Sequence, residues 1–351
     1  MPELNIPPRG AGILLGMSGG VDSTYTGRLL SDMGLKVEGA VLKMSEHTDI
    51  DLARESAEDI GVPLHVVDCT QTFRDSVIAN LISEYTAGRT PNPCVMCNRY
   101  VKIALLCETA RSLGLSYIAT GHYAAVMREG GRYYVERAQD LRKDQSYVLW
   151  QLTQEQLSML YTPLCGLTKD EIKKRAASLG IHAVNRPESQ EICFIPDKDY
   201  AKYIENTAGK FPDGNFIDEN GNVVGRHKGI VHYTIGQRKG LGLSMNRHVF
   251  VTDIDARANT VTVASEDKIF SAEADVAALN FQYLDESRTS DGKSLHCEVK
   301  IRYGAALQGA TVTFSGGSAH IVFDEPARAV TPGQSAVFYD GGRLLFGGFF
   351  R

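Results

Sequence analysis

Hydrophobic positions along the first half of the chain alternate between two periods. Residues 12–17, GILLGM, are an apolar run of strand length, and from about Asp22 the residues Leu29, Leu30 and Met33 share one helical face that stops at Gly34. The alternation repeats. VEGAVLKM at 37–44 reads as a strand, and Leu52, Ala53, Ser56, Ala57 and Ile60 form a helical face ending at Gly61. LHVVD at 64–68 reads as a strand, and Phe73, Val77, Ile78, Leu81, Ile82 and Tyr85 mark another helical face. A helix over about 101–113 and a strand over 117–123, YIATGHY, complete the pattern. Such alternation with short links predicts parallel strands covered by helices on both faces. Ligands of these sheets sit at the carboxyl ends of the strands, where GMSGG, TGHY and the end of VLKM fall. The capping box TKDE, 168–171, opens a helix that ends at Gly180.

After about residue 205 the texture changes. Gly and Asn become frequent, as in KFPDGNFIDENGNVVG. From about 275 short β-type runs dominate, CEVKIRY, ATVTF, AHIVF, SAVFY and LLFGGFF, separated by Gly-rich turns. That predicts a small all-β domain of barrel type. The expected division is 10–204, 205–274 and 275–351, in line with the two or three domains that 351 residues suggest.

No run of about 18 uncharged apolar residues occurs, and the short apolar stretch near the N-terminus reads as a strand, not a signal peptide. The expected compartment is the cytoplasm. A net charge of −5 argues against a surface coated for nucleic acid but leaves room for a local basic face. The stretch RHKGIVHYTIGQRKGLGLSMNRH, 226–248, carries Arg226, Lys228, Arg238, Lys239 and Arg247 and no carboxylate. On charge alone it is equally a solvated loop.

Residues 16–23, GMSGGVDS, follow a buried strand and open a helix. Gly19 and Gly20 let the backbone approach an anion, Ser18 and Ser23 offer hydroxyls, and the helix N-terminus adds free N–H groups. Asp22 can hold the Mg²⁺ that accompanies a nucleotide. No Walker lysine is present. SGGxDS resembles instead the PP-loop of the ATP pyrophosphatases, which cleave ATP between the α- and β-phosphates. Amidating ligases acting on small molecules resemble it too.

The seven cysteines are 69, 94, 97, 107, 165, 193 and 297. An odd number in a chain without a secretory signal argues against a disulfide framework. GRTPNPCVMCN, 88–98, has two prolines and is expected to be an extended, exposed loop presenting Cys94 and Cys97. Cys193 lies in ESQEICF between two helices. Cys69, Cys107, Cys165 and Cys297 read as small core residues. Cys94 and Cys97 could form half a zinc site in a non-catalytic RNA-binding protein, but a structural zinc wants four ligands and only three are at hand.

GMSGGVDS, GRTPNPxxxCN, ATGHYA, KDQSY, SQxICFI, YTIGQRKGLG, KIRY and TPGQSAVFY together resemble the tRNA-specific 2-thiouridylase family, in the family's order from about residue 12 to the end. The resemblance implies an α/β, parallel-sheet PP-loop nucleotide-binding domain, then a small mixed central domain and a C-terminal β-barrel-like domain. It implies ATP-dependent 2-thiolation of uridine 34, the wobble position, in tRNAs for Lys, Glu and Gln, with AMP placed on uracil O2. ATP would lie on Gly16, Met17, Ser18, Gly19, Gly20, Val21, Asp22 and Ser23, with Leu42 at the adenine and Gly121 lining the site. Cys97 matches the nucleophile and Cys193 the persulfide carrier. Asn92, Pro93 and position 94 match residues that meet the target base. His122, Lys143, Asp144, Gln145, Arg302, Tyr303 and Gln334 match tRNA-contacting positions. The sulfur would come from a sulfur-donor protein or sulfide. One position departs: the family pattern has aspartate where this chain has Cys94. Cys94, Cys97 and Cys193 then resemble the ligands of iron–sulfur-dependent tRNA thiolases, so a [4Fe–4S] cluster stands beside the persulfide route, with Cys94 either ligand or bystander.

Overall fold

The computed structural model describes residues 1–186, 192–195, 197 and 199–351. The Glu188–Glu191 part of the motif before Cys193 lies outside these residues. Five strands form a parallel sheet in the order Leu64–Asp68, Lys36–Lys43, Gly12–Gly16, Tyr117–Ala119, Leu160–Tyr161. The chain after Gly12–Gly16 first builds outward on one side and returns on the other. The carboxyl end of that strand is therefore a topological switch point, the place where such sheets leave a crevice. Ile13, Leu14 and Leu15 are wholly buried there, which is why the strand reads as an unbroken apolar run.

The first helix, Val21–Asp32, and the second, Ile50–Ile60, fall where the periodicity puts them. The face from Phe73 to Tyr85 forms one continuous helical stretch, Thr70–Thr86, interrupted by a π-turn at Arg74–Ile78. Helices at Gln154–Met159 and Lys169–Ser178 open on capping boxes at Thr153 and Thr168.

The YIATGHY expectation needs correcting. The strand ends at Ala119, and the chain leaves the parallel sheet through Thr120–Tyr123. It re-enters a different sheet as a hairpin, Ala124–Glu129 and Arg132–Arg137, turned by Gly130 and Gly131 at positive φ. Glu3–Leu4 pairs with one edge of this hairpin, and Glu136 pairs with Arg343 at the other.

That second pairing joins the hairpin to a closed antiparallel barrel. Around it run Arg343–Phe350, Phe270–Phe281, Ser318–Arg328, Gln308–Ser315, Ser294–Lys300 and Ser335–Asp340, which pairs back with Arg343–Phe350. Closure leaves this ring without a free edge. Between the two lies a four-stranded sheet ordered Val223–His227, Gly214–Ile217, Thr260–Ala264, Phe250–Asp255. The architecture is the α/β domain, mixed centre and β-barrel that the sequence implied.

The barrel and the first domain share a dry seam. Trp150 is fully buried, its indole N–H donates to Ser335 Oγ at 2.9 Å, and Gly347 gives the ring room: a Cβ there would lie 2.5 Å from it. Gln282, also fully buried, accepts from Val135 N at 3.0 Å and donates to the carbonyls of Leu149 and Trp150 at 2.9 Å each. One amide thus satisfies three backbone groups sealed from water. Gln282→Leu strands Val135 N and takes one donor each from Leu149 O and Trp150 O, which Leu152 N and Asn280 still serve, and a buried unpaired group costs about 1–3 kcal/mol. We expect a loss of about 2–4 kcal/mol in urea unfolding, while Gln308→Leu at the half-buried rim loses less than about 1 kcal/mol; equal losses would show that the seam is not held by this amide.

Candidate active site

The strand Gly12–Gly16 delivers the chain at Met17, whose N–H donates to Ala40 O at 2.8 Å. Gly19 then takes φ +77°, and a Cβ there would sit 2.8 Å from the Leu52 backbone, so no other residue fits. Gly20 caps the helix with extended backbone and no side-chain cap, which leaves the first N–H groups of a twelve-residue helix without a protein side chain to serve them. Those donors and the helix dipole are an anion site. Ser23 is buried; its hydroxyl donates to Gly20 O at 3.0 Å and accepts from Ser18 N at 3.3 Å. Gly121 comes in from the neighbouring strand so closely that a Cβ would lie 3.2 Å from Asp22 and Ser23. Leu42, nearly buried, lies near the end of the adjacent strand.

Three residues here were not legible in the sequence. Lys169 reaches Asp22 across the fold, with Nζ 2.7 Å from both carboxylate oxygens. The Tyr123 hydroxyl donates to Asp22 at 2.8 Å. Arg186 donates to Gly19 O, to Leu52 O and to Ser56 Oγ, and pairs with Glu55, bolting the loop to the second helix. The capping box at Thr168 marked the helix start, but nothing in the sequence said where the next side chain would point.

The expectation of an extended loop at 88–98 is corrected. Asn92 is a helix cap whose side chain accepts from Cys94 N at 3.0 Å, and Pro93 occupies the first helical position. The Asn-Pro step was a start signal, since proline's fixed φ and missing N–H suit the first turn. Cys94 and Cys97 therefore ride on a helix, Pro93–Cys97, which runs through a π-turn at Asn98–Lys102 into Ile103–Ser112. Cys94 is exposed and Cys97 is buried. Phe194 packs edge-on against Phe73, ring centroids 5.1 Å apart, and Phe73 belongs to the same core as Cys97. This docks the Cys193 segment beside the cysteine helix. Cys193 itself is exposed.

Burial pushes the Cys97 thiol up to about 12; Lys102 opposes this, while Cys193, Cys94 and Cys69 add to it. Cys94 is raised too, by the protein packed around its thiol and by Cys193, against Lys102. Cys97 feels both Cys94 and Cys193, and Cys94 feels Cys193, so the site gathers the three into one patch. It does not gather them as metal ligands: among the described residues no three His, Cys, Asp or Glu converge on a cation position. As arranged, these side chains do not form the converging ligand set that a [4Fe–4S] cluster needs. Cys69, Cys107 and Cys297 are buried as expected of core residues, whereas Cys165 is partly exposed.

The residues matched to tRNA contacts divide. Arg302 is exposed, and Tyr303, 43% exposed, meets Tyr147 edge-on and carries Lys300 over its ring at 5.5 Å. Lys143 is half-buried. Asp144 is buried and accepts from Arg137, Ala138 N, Ser146 N and Ser146 Oγ, so it holds its turn and does not face solvent. Gln145 exchanges bonds with the Tyr123 backbone. Gln334 donates to Thr90 O at 2.9 Å, and Thr90 N donates to Pro332 O at 2.9 Å, so a barrel turn clasps the segment before Asn92. Burial, and then Lys102, push His122 down to about 3, leaving a neutral imidazole 2.8 Å from Thr120 Oγ1. The basic stretch folds around a surface cleft of about 260 Å³ lined by Arg238, Arg247 and His248. Among the described residues no helix is long and apolar enough to cross a membrane.

Three family profiles match consecutive parts of the chain: a tRNA methyl transferase HUP domain over 11–197, a tRNA methyl transferase PRC-barrel domain over 201–265 and an aminomethyltransferase beta-barrel domain over 274–350. The chain is similar to the tRNA-specific 2-thiouridylase MnmA of Clostridium botulinum, 43% identical with 96% of each chain covered. It is 40% identical to the tRNA-specific 2-thiouridylase MnmA of Acetivibrio thermocellus, covering 97% of this chain and 99% of the relative. The protein of the same name from Carboxydothermus hydrogenoformans is 41% identical, with 96% of each chain covered.

The thiol environments have a measurable consequence. A thiol raised by burial reacts as thiolate only when pH approaches its raised value. In the free protein, iodoacetamide should label exposed Cys193 readily at neutral pH. Labelling of Cys97 should climb about tenfold per pH unit from 8 to beyond 10, where an unfolded control has already levelled off. Peptide mapping after timed labelling checks this; a Cys97 profile that levels off below 9 contradicts it.

Proposed function

The chain belongs to the tRNA-specific 2-thiouridylase family, and from that premise we propose that it converts the wobble uridine, position 34, of tRNAs for Lys, Glu and Gln to 2-thiouridine at the expense of ATP. What supports this reading is one juxtaposition: an uncapped, glycine-lined helix N-terminus beside a patch carrying Cys97 and Cys193. We adopt the domain division 10–204, 205–274 and 275–351.

In this reading the ATP phosphates lie on the N–H groups of residues 18–23, with Leu42 at the adenine. Uracil O2 attacks the α-phosphorus, the bond to the β-phosphate breaks, and pyrophosphate leaves. Uracil oxygen is a poor leaving group; as an AMP ester it departs as a stable anion. Asp22 would hold Mg²⁺ together with the nucleotide's own phosphates, and the ion supplies charge neutralisation there. Lys169, already on Asp22, adds a second positive charge at the same place. The terminal sulfur of a persulfide on Cys193 attacks uracil C2, and AMP leaves with the C–O electron pair. Cys97 thiolate attacks Cys193 Sγ, the S–S bond breaks, and the sulfur remains on uridine as the thiocarbonyl. Cys97 and Cys193 are then a disulfide. Sulfide reopens it to a Cys193 persulfide and a Cys97 thiolate, so the cycle closes without net redox change; a sulfur-donor protein would need a dithiol reductant as well.

The base must leave its stack to enter this patch. Asn92, Pro93 and Cys94 border its entrance, with His122, Lys143, Gln145, Arg302, Tyr303 and Gln334 around them, and Asp144 holding the turn that carries Lys143 and Gln145. Incubation with bulk tRNA, ATP, Mg²⁺ and sulfide should yield 2-thiouridine on nucleoside analysis, with AMP and pyrophosphate as products. Asp22→Ala should abolish pyrophosphate release, and Cys97→Ser and Cys193→Ser should abolish 2-thiouridine with the fold intact. Release of ADP and phosphate, or thiolation surviving in either cysteine variant, would sink the assignment.

Cys94 separates this route from a cluster route. Under the persulfide reading, Cys94→Ala stays colourless, iron-free and active. Anaerobic purification with iron and sulfide assay decides it: joint loss of brown colour, iron and thiolation in the variant would install the cluster instead.

A further inference from the structure

The helix that carries Cys94 and Cys97 changes its winding one residue after Cys97. At Asn98–Lys102 the backbone closes a π-turn, in which Ile103 N–H donates to Asn98 O, five residues back. In an α-helix the residue five after Cys97 lies about 140° around the axis, pointing away from it. A turn closed five residues apart brings that same position to within about 50° of Cys97. Lys102 is the residue so placed. Cys94, three before Cys97, is on the same side to within about 60°. The irregularity therefore puts one ammonium on the thiol face of the helix, and π-turns gather at functional sites for this kind of re-aiming.

The surroundings of Lys102 agree. Burial works against its charge, but Cys97, Cys193 and Cys94 outweigh this and raise it. Lys102 acts in turn on Cys94, Cys97 and the neutral His122. Among the described residues no carboxylate figures in the groups acting on Lys102, which is only partly exposed. Lysines half-removed from water normally sit beside a carboxylate. Here the place of the carboxylate is taken by sulfur.

We propose that Lys102 is the counter-ion of the sulfur transfer, holding the anionic sulfur of Cys97 or Cys193 while it attacks. This rests on the thiolation reading above and names a residue that reading did not use. Lys102 forms and breaks no bond: the thiol proton leaves to water, and the ammonium keeps its own three hydrogens throughout. It acts after ATP has been spent, because uracil adenylation involves no sulfur.

The test separates the two halves of the reaction. Lys102→Met and Lys102→Arg are compared with the unsubstituted chain for tRNA-dependent pyrophosphate release in a single turnover and for 2-thiouridine formed. Lys102→Met should release pyrophosphate at close to the normal rate but form 2-thiouridine about ten- to a hundredfold more slowly, the loss expected when one charge-assisted contact is removed. Lys102→Arg keeps the charge and should recover most of the rate. Parallel loss of both readouts in Lys102→Met would mean a structural or tRNA-binding role and overturn the proposal. Unchanged thiolation would overturn it equally, as would failure of Lys102→Arg, if well folded, to exceed Lys102→Met. Absence of pyrophosphate release in the unsubstituted chain would instead refute the thiolation reading beneath it.

Discussion

The burial of the Ser146–Trp150 turn is the contact on which the site depends. Tyr147, Leu149 and Trp150 are sealed from solvent between the parallel-sheet domain and the barrel. Tyr147 OH donates to Ser335 O and Trp150 Nε1 to Ser335 Oγ, each at 2.9 Å, so one barrel residue receives both rings. On its other side the turn receives the cysteine helix: Asn98, buried and next to Cys97, donates to Val148 O at 3.2 Å. The position of Cys97 is thus referenced to the barrel through a dry aromatic seam. A barrel distant in sequence becomes part of the frame that holds Cys97, and Gln334 clasping Thr90 O fixes the segment just before the helix.

What could be read from the sequence was whatever depends on local order. The parallel sheet was legible because its strands, buried on both sides, are unbroken apolar runs. The loop at 16–23 was legible because glycines, serines and an aspartate between strand and helix have few other uses. The misreadings share a cause. Pro91 and Pro93 were taken as loop-formers, although proline after a capping Asn begins a helix. TGHY was taken as the end of a strand, although the chain there changes sheets. Lys169, Arg186 and Lys102 were invisible, since a long charged side chain carries no periodic signal and its partner is chosen by tertiary structure.

The electrostatics of the two halves are opposed. The loop end is polar, with an ion pair, a tyrosyl donor and helix N–H groups that no side chain caps, an environment suited to an anion. At the sulfur end burial keeps Cys97 protonated and His122 neutral. A thiol that is not ionised at rest is protected from oxidation and from wandering electrophiles. Its activation then requires something the resting protein lacks: a substrate that brings charge and excludes or admits water.

One short segment links the halves. Gly121 lies against Asp22 and Ser23, and Tyr123 donates its hydroxyl to Asp22. His122, between them, is within the field of Lys102 on the sulfur side. Three consecutive residues therefore run from the 16–23 loop to the surroundings of Lys102, and Gln145, paired with the Tyr123 backbone, ties the same segment to the Asp144 turn at the seam. This is a reason for the chain to leave its sheet at Ala119. A strand continued through Tyr123 would alternate its side chains across the sheet and send His122 away from its neighbours. Leaving the sheet at Ala119 gives up ladder hydrogen bonds and lets Gly121 and Tyr123 meet Asp22 while His122 bonds Thr120 and lies in the field of Lys102.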